Sequence, residues 1–172
     1  SARLRTSDCD PSEGVLPDLA RIVNKVRESW PGTRIIVRGD SGFCREDLMA
    51  WCELRGVGYV LGLAKNARLE KLIKKDLKKA KRKFKRTGKP AKRYRNLQYR
   101  TLATWSKKRR VVAKAEHLDK GANPRFVVTT LTKEEYGARA LYEDVYCARG
   151  DMENRIKEQQ MGLFADRTST HT

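Results

Sequence analysis

The sequence lacks the features of a membrane protein, a disulfide-bonded secreted domain and a zinc protein. No apolar run approaches the 18 residues that a bilayer span needs, and the first residues, SARLR, do not resemble a signal peptide. The four cysteines form no C-x-x-C pair, and there are two histidines. We therefore expect reduced thiols, no structural zinc site and no membrane partner.

Negative charge is also scarce. The 172 residues include 39 Lys and Arg against 21 Asp and Glu, which gives a formal net charge of +18. Most of the excess lies in residues 65–95, where sixteen basic residues stand against two acidic ones, whereas residues 1–64 are neutral overall. A charge of this size favours a polyanionic partner, and nucleic acid is the first expectation.

Apolar residues recur at helical spacing within the basic segment and predict an amphipathic helix that ends near Gly88. Lysines and arginines fill the other positions. We expect Lys78, Lys79, Lys81 and Arg82 to contact DNA phosphates from this helix. A solvated surface helix and a helix lying on a membrane surface have the same pattern, and both remain alternatives.

Strand and helix patterns alternate before the basic segment. Helices are predicted over Val15–Trp30 and Glu46–Arg55, and buried strands over Arg34–Arg38 and Tyr59–Leu63. Strand, helix and strand within about 30 residues form a βαβ unit, which predicts an α/β fold with a parallel sheet. The later predicted elements are β-rich runs over 97–105, 110–116 and 125–131 and a helical pattern from 138 to about 161.

The tryptophans have different expected environments. The helical spacing predicts that Trp30 and Trp51 lie in the core. Trp105 stands among basic residues, so it is a candidate for stacking on a base, and packing in the core or on a strand face is the favoured alternative.

Asp40 directly follows the first predicted strand. The carboxyl ends of parallel strands border the crevice in which α/β proteins bind ligands, so Asp40 is a candidate site residue. A local role is equally consistent with the sequence, because an Asp at such a turn can cap or close it. The position alone leaves both interpretations open.

The last predicted helix carries a second candidate group. Tyr146, Arg149, Glu153 and Lys157 are separated by 3, 4 and 4 residues and therefore share one helix face. Glu153 thus lies one turn from a cation on either side. Simple ion pairing on a surface helix explains the same spacing, so the pattern alone does not establish a site.

Two segments taken together resemble bacterial insertion-sequence transposases of the DDE type. They are RGDSGF at residues 38–43 and YCARGDMEN at residues 146–154, and the second contains the Tyr-x2-Arg-x3-Glu signature of one large group of these enzymes. The similarity continues through IKEQ at 156–159 and LFADRTS at 163–169. It covers the chain from about Leu4 to its end, more loosely in the basic segment.

The resemblance implies a ribonuclease-H-like, or retroviral-integrase-like, core with a basic, β-rich insertion. Residues 1–64 would form the second half of that core and carry Asp40. Residues 65–135 would form the insertion, whose helix holds DNA. Residues 136–172 would form the helix that carries Glu153, followed by a tail.

The resemblance also implies roles for the candidate side chains. Asp40 and Glu153 would be the second and third catalytic acids and the ligands of Mg²⁺, for which Mn²⁺ can substitute. Tyr146 and Arg149 match the rest of the signature and would contact DNA phosphates, and Lys157 would add a similar charge.

The sequence departs from the family pattern at two places. The family has a Lys seven residues after the Glu, and this chain has Gln160 there. No residue in 1–33 matches the first catalytic Asp, which should end an early core strand. We therefore expect that the chain starts after that Asp, that the N-terminal core strands are missing, and that the fragment alone binds DNA weakly and cleaves it poorly.

The expected function is DNA transposition. A DDE transposase would cleave DNA strands at transposon ends and transfer them into target DNA, acting as a homodimer in the synaptic complex, in the bacterial cytoplasm at the nucleoid. Two alternatives remain. One is a metal-dependent nuclease of the same fold, and the other is a basic nucleic-acid-binding module in which Asp40 and Glu153 are structural.

Overall fold

Residues 14–148, which the computed structural model describes, contain one mixed sheet of six strands. Its order is β1-β2-β6-β4-β3, and β5 pairs with β4. The β1–β2 pair is parallel, and the β2–β6, β6–β4 and β4–β3 pairs are antiparallel. The strands are β1 (Ile36–Gly39), β2 (Gly58–Leu63), β3 (Ala91–Tyr99), β4 (Arg109–Leu118), β5 (Gly121–Ala122) and β6 (Arg125–Thr129).

Helices cover both faces of this sheet. They are α1 (Val15–Ser29), α2 (Glu46–Leu54), α3 (Ala67–Leu72), α4 (Lys74–Thr87) and α5 (Ala138–Ala140), and α5 passes directly into a π-helix (Leu141–Tyr146). We call α5 and the π-helix together the Tyr146 helix. The predicted α/β class is therefore confirmed, as are the predicted parallel strands on either side of α2.

The sheet separates two apolar clusters. Alternate residues of β2, β4 and β6 pack with α1 to α4 on one face, around Met49, Leu61 and Leu69. The residues between them, such as Val60 and Val127, pack under the Tyr146 helix on the other face. Tyr59, Val60 and Leu61 are 0% exposed, as expected for a strand that is covered on both sides.

The segment 65–135 joins the same sheet as the preceding strands. β6 pairs directly with β2, from Val60 opposite Thr129 to Leu63 opposite Phe126. β4 and β3 then extend the sheet beyond β6. The division into residues 1–64, 65–135 and 136–172 stays a prediction, and so does the ribonuclease-H-like topology.

The basic segment forms two helices where the sequence predicted one. Ile73, which is fully buried, takes non-helical backbone angles between α3 and α4. α4 ends at Gly88, whose positive φ of 64° and N–H bond to the Phe84 carbonyl form a left-handed cap. None of the described helices is long and apolar enough to cross a membrane.

Trp30 and Trp105 lie in different environments, the first exposed and the second buried. Trp30 is 63% exposed, so its predicted burial is wrong: it lies just past the last residue of α1, where helical spacing no longer sets its direction. Trp105 is buried and contacts the Tyr99 ring edge-on, which confirms the core interpretation. The strand predicted over 97–105 is observed as β3 over Ala91–Tyr99, so Trp105 lies outside it.

Candidate active site

Asp40 lies at the carboxyl end of β1, as the sequence predicted. One of its oxygens, Oδ1, accepts a hydrogen bond from the Gly42 N–H at 2.9 Å and caps the short 3-10 turn Ser41–Phe43. The capping role that the sequence left open is therefore present. A carboxylate can accept about four hydrogen bonds or metal contacts, so this cap is compatible with ligand binding.

A cleft of about 400 Å³ opens beside Asp40. Its walls are the Asp40 turn, the chain leaving β2, the start of β6 and the Tyr146 helix. These segments meet because β1 and β2 are parallel and end at the same sheet edge, where the antiparallel β6 begins. The cleft therefore lies where α/β sheets commonly bind ligands.

Tyr146 reaches the Asp40 turn through the space that Gly62 leaves open. A Cβ atom on Gly62 would lie 2.7 Å from the Tyr146 hydroxyl oxygen, 3.0 Å from the Ser41 nitrogen and 3.2 Å from the Asp40 carbonyl carbon. Only glycine permits this approach without a shift of its neighbours. The structure thus brings together two predicted site residues, Asp40 and Tyr146, that are far apart in the sequence.

Contacts from two strands fix the Tyr146 helix on the sheet. The Arg38 guanidinium of β1 donates to the Val145 carbonyl at 2.8 Å. The Tyr94 hydroxyl of β3 donates to the Glu143 carboxylate at 2.7 Å. The position of Tyr146 over the sheet is therefore set from both sides.

Tyr142 adds aromatic packing to this anchor. Its ring lies 5.5 Å from that of Tyr146 and 5.7 Å from that of Tyr94, measured between centroids. Lys114 of β4 places its ammonium group 5.2 Å from the centre of the Tyr142 ring. These contacts hold the inner face of the Tyr146 helix against β3 and β4.

Three other predicted site residues, Arg149, Glu153 and Lys157, lie outside the described residues. Within residues 14–148, no group of three or more His, Cys, Asp and Glu side chains could hold a metal ion. Asp40 is the carboxylate that the described chain contributes to the cleft wall. Its oxygens are of the kind that Mg²⁺ prefers, so Asp40 suits a magnesium site that takes its other ligands from elsewhere.

The predicted DNA-binding residues of the basic helix lie on a different surface. Lys78, Lys79, Lys81 and Arg82 are exposed on α4. α4 packs on β3 and β4 through its apolar face, on the side of the sheet opposite to the Tyr146 helix. The four residues are not part of the cleft wall.

An ion network at the opposite edge of the sheet was not predicted. Arg109 of β4 is 4% exposed and donates to Glu53 at 2.7 Å and to Glu46 at 2.6 Å, both on α2. Burial raises the pKa of Glu53, but hydrogen bonds from Arg109, Lys107 and Tyr59 outweigh this effect and lower the pKa to about 2. The network joins α2 to the sheet, and Arg109, Glu46 and Glu53 are not part of the cleft wall.

Lys65 and Arg125 line the cleft and were missed by the sequence analysis. Lys65 follows β2 as Asp40 follows β1, so the strand-end argument that selected Asp40 applied to it as well. Arg125 begins β6, and its place beside the end of β2 depends on an antiparallel pairing that the sequence pattern does not reveal.

Comparison with known proteins identifies the family of this chain. A search of curated proteins finds no significant match to the chain. A family model described as transposase DDE domain group 1 matches residues 1–172, and so includes both motifs on which the resemblance depends. The chain therefore belongs to this family of DDE transposases.

Proposed function

We propose that the Asp40 cleft is part of a magnesium-dependent active site that cleaves DNA at transposon ends and transfers the strands into target DNA. Membership of the DDE transposase family supports DNA transposition as the function. The observation that carries the proposal is the meeting of Asp40 and Tyr146 in one cleft at the carboxyl end of the parallel strands.

We propose that Asp40 and Glu153 are the second and third acids of the family's catalytic set and hold Mg²⁺ or Mn²⁺. When bound, the metal would activate the attacking oxygen and stabilise the leaving oxygen of the phosphodiester. The cap from Gly42 orients the Asp40 carboxylate toward a defined position before DNA arrives. Such preorganisation reduces the cost of ordering the site during the reaction.

Tyr146 is proposed to position the DNA strand in this site. Its hydroxyl lies beside the Asp40–Ser41 peptide, so a phosphate that it contacts would be adjacent to Asp40. Arg149 and Lys157 are proposed to contact neighbouring phosphates. An arginine suits this role because its planar group can bind two phosphate oxygens at once.

We propose that Lys78, Lys79, Lys81 and Arg82 hold DNA outside the cleft. A homodimer would bring two transposon ends together, and the reaction would take place on the bacterial chromosome. The candidates among residues 1–172 cover two of the three acids, so we propose that this chain alone cleaves DNA poorly.

An Asp40→Asn variant of the intact transposase tests the proposal. Strand cleavage should be abolished, because the amide is a weaker ligand for Mg²⁺, while DNA affinity should stay the same. The measurement is cleavage and strand transfer on labelled transposon-end DNA, with a binding assay on the same DNA. Asp119→Asn, in an exposed turn, is the matched control and should cleave normally.

Three outcomes separate the proposal from its alternatives. Unchanged cleavage by Asp40→Asn would leave a basic nucleic-acid-binding module in which Asp40 only caps a turn. Cleavage by the unaltered enzyme without strand-transfer products would indicate a nuclease of the same fold. Loss of both products with retained binding would support the transposase site.

A further inference from the structure

Two cations in the Asp40 cleft have no acidic partner. Within residues 14–148, Lys65 and Arg125 make no hydrogen bond or ion pair through their side chains. Both are exposed. By contrast, Lys114 of the neighbouring strand is paired with Glu116 at 2.7 Å. Beside the Asp40 carboxylate, the cleft therefore contains two cations whose side chains are available to a ligand.

The backbone under each cation is held in place. Lys65 precedes Asn66, whose side chain caps α3 by accepting the Leu69 N–H at 3.0 Å and donates to the Tyr99 hydroxyl at 3.2 Å. Arg125 begins β6 and is paired in register with Lys114. The two residues therefore extend flexible side chains from fixed positions.

The sheet register places these positions on the same edge. Leu63 is opposite Phe126 in the antiparallel β2–β6 pair. Lys65 lies two residues beyond Leu63, and Arg125 lies one residue before Phe126, so both extend past the last pair toward the cleft. Burial raises the pKa of Tyr142 and the charge of Arg125 acts in the opposite direction, which is consistent with Arg125 being close to the Tyr142 hydroxyl on the cleft wall.

We propose that Lys65 and Arg125 form a phosphate clamp that holds a phosphodiester of the DNA strand beside Asp40. A cleft of about 400 Å³ is within the range of about 300–1,000 Å³ that small-ligand sites occupy. The two cations balance the negative charge of a phosphate next to a carboxylate, which would otherwise repel it. This assignment rests on the proposed function, because it takes DNA as the substrate of the cleft.

The test is a nuclear magnetic resonance titration of the ¹⁵N-labelled 172-residue chain with an eight-nucleotide oligothymidylate. The amides of Ser41 and Gly62 report on the cleft, and the amides of Lys78 to Arg82 report on α4 in the same spectrum. We expect the Ser41 and Gly62 signals to shift in the unaltered chain. In the variant Lys65→Gln with Arg125→Gln, the oligonucleotide concentration for half of this shift should rise about tenfold.

The matched control removes the same two charges elsewhere. Arg21→Gln with Lys25→Gln acts on exposed side chains of α1, each of which is paired with an acid on its own helix. This control should titrate like the unaltered chain at Ser41 and Gly62. The exchange Lys65→Arg with Arg125→Lys keeps both charges and should retain most of the cleft binding.

Three results would overturn the clamp. One is an unchanged titration at Ser41 and Gly62 in the double Gln variant, and another is a shift confined to α4 in the unaltered chain. The third is an equal response to inorganic phosphate at the same concentration, which would indicate a simple anion site. Failure of the clamp is distinct from failure of the proposed function, since Asp40→Asn tests cleavage and leaves both cations in place.

Discussion

Gly62 shows how a single hydrogen atom in place of a side chain can shape the site. A Cβ atom at this position of β2 would meet both the Asp40 turn and the Tyr146 hydroxyl. The sequence shows this residue as one glycine within an apolar strand. Its role depends on a contact with Tyr146 that lies far along the chain, so strand propensity alone gives no reason for it.

We predict that Gly62→Ala damages the cleft. The added methyl group would lie 2.7 Å from the Tyr146 hydroxyl oxygen and 3.0–3.2 Å from the Asp40–Ser41 backbone. One of these neighbours would therefore have to move. DNA cleavage by the intact transposase should fall by about 10- to 100-fold, and the free energy of unfolding by about 1–3 kcal/mol. Cleavage assays and urea denaturation measure the two effects.

Gly32→Ala is the control for this substitution, because a Cβ at Gly32 meets no atom within 4 Å. It should leave cleavage and stability unchanged. Adding Tyr146→Phe to Gly62→Ala should recover part of the stability by removing the clashing oxygen. A Gly62→Ala enzyme that cleaves at the normal rate would show that the close approach has no functional role.

At the scale of single elements, α4 combines an apolar face and a highly charged one. Asp76 in its first turn pairs with Arg95 at 3.2 Å and Arg93 at 3.5 Å, both on β3. Within residues 14–148, the lysines and arginines of α4 make no ion pair of their own. Asp76 therefore fixes the helix on the sheet, and the basic face stays available to a polyanion.

We predict that glutamine at Lys78, Lys79, Lys81 and Arg82 weakens DNA binding without unfolding α4. For each DNA phosphate that the helix no longer neutralises, the slope of log affinity against log salt should become shallower by about 0.9 for duplex DNA. Fluorescence anisotropy with a labelled duplex at several salt concentrations measures this slope. The helix should persist because its buried face, which includes Ala80, is unaltered.

The control removes three lysines and one arginine from other elements. The positions are Arg21, Lys25, Lys120 and Lys133, which are exposed. If the slope depended only on net charge, it would change by the same amount in both variants. A slope that stays unchanged in the α4 variant would exclude α4 from the DNA interface.

Helical and strand periodicity predicted most elements in the described part of the chain within a few residues. α2 was predicted over Glu46–Arg55 and is observed over Glu46–Leu54. The failures occur at the ends of elements: at Trp30 after α1, at Ile73 between α3 and α4, and at β3, which was predicted over 97–105 and is observed over Ala91–Tyr99. Periodicity describes the interior of an element and gives little information about what its ends contact.

At the scale of the whole molecule, the ion network around Arg109 should make stability depend on pH. Glu53 has a folded-state pKa of about 2 against an ordinary value of 4.5. A carboxyl group with a lowered pKa stabilises the fold fully above its unfolded pKa and loses that contribution as pH falls toward its folded pKa. The free energy of unfolding should therefore fall by about 3 kcal/mol between pH 4.5 and 2 from this group.

Urea denaturation at pH 7 and pH 3 tests this dependence with Glu53→Gln. The variant should be less stable at pH 7 by about 3 kcal/mol or more, because Arg109 is buried and loses half of its acidic partners. Its stability should also change less between the two pH values. Glu28→Gln, which breaks an exposed pair with Lys25, is the control, and an equal pH dependence in both variants would refute the explanation.

The sheet order is what the sequence could least predict. β1, β2, β4 and β6 were indicated by their own patterns, whereas β3 was predicted six residues too late and β5 was not predicted. The insertion of β6 between β2 and β4 depends on which edges pair across more than 60 residues. That pairing places Arg125 in the wall of the cleft beside Asp40. Local pattern and family resemblance together indicated Asp40 and Tyr146. The strand-end argument could also have indicated Lys65, but neither source of information could indicate Arg125.

The hydrogen bond from Arg38 to the Val145 carbonyl affects where this chain can accept insertions. It joins β1, which ends just before Asp40, to the Tyr146 helix. The two ends of the segment 39–144 are therefore held together. Doubling the length of a flexible loop costs only about 0.6 kcal/mol. Insertions at the far turns, such as Asp119–Lys120, can thus accumulate during evolution while the two ends of the loop, and the cleft between them, keep their positions.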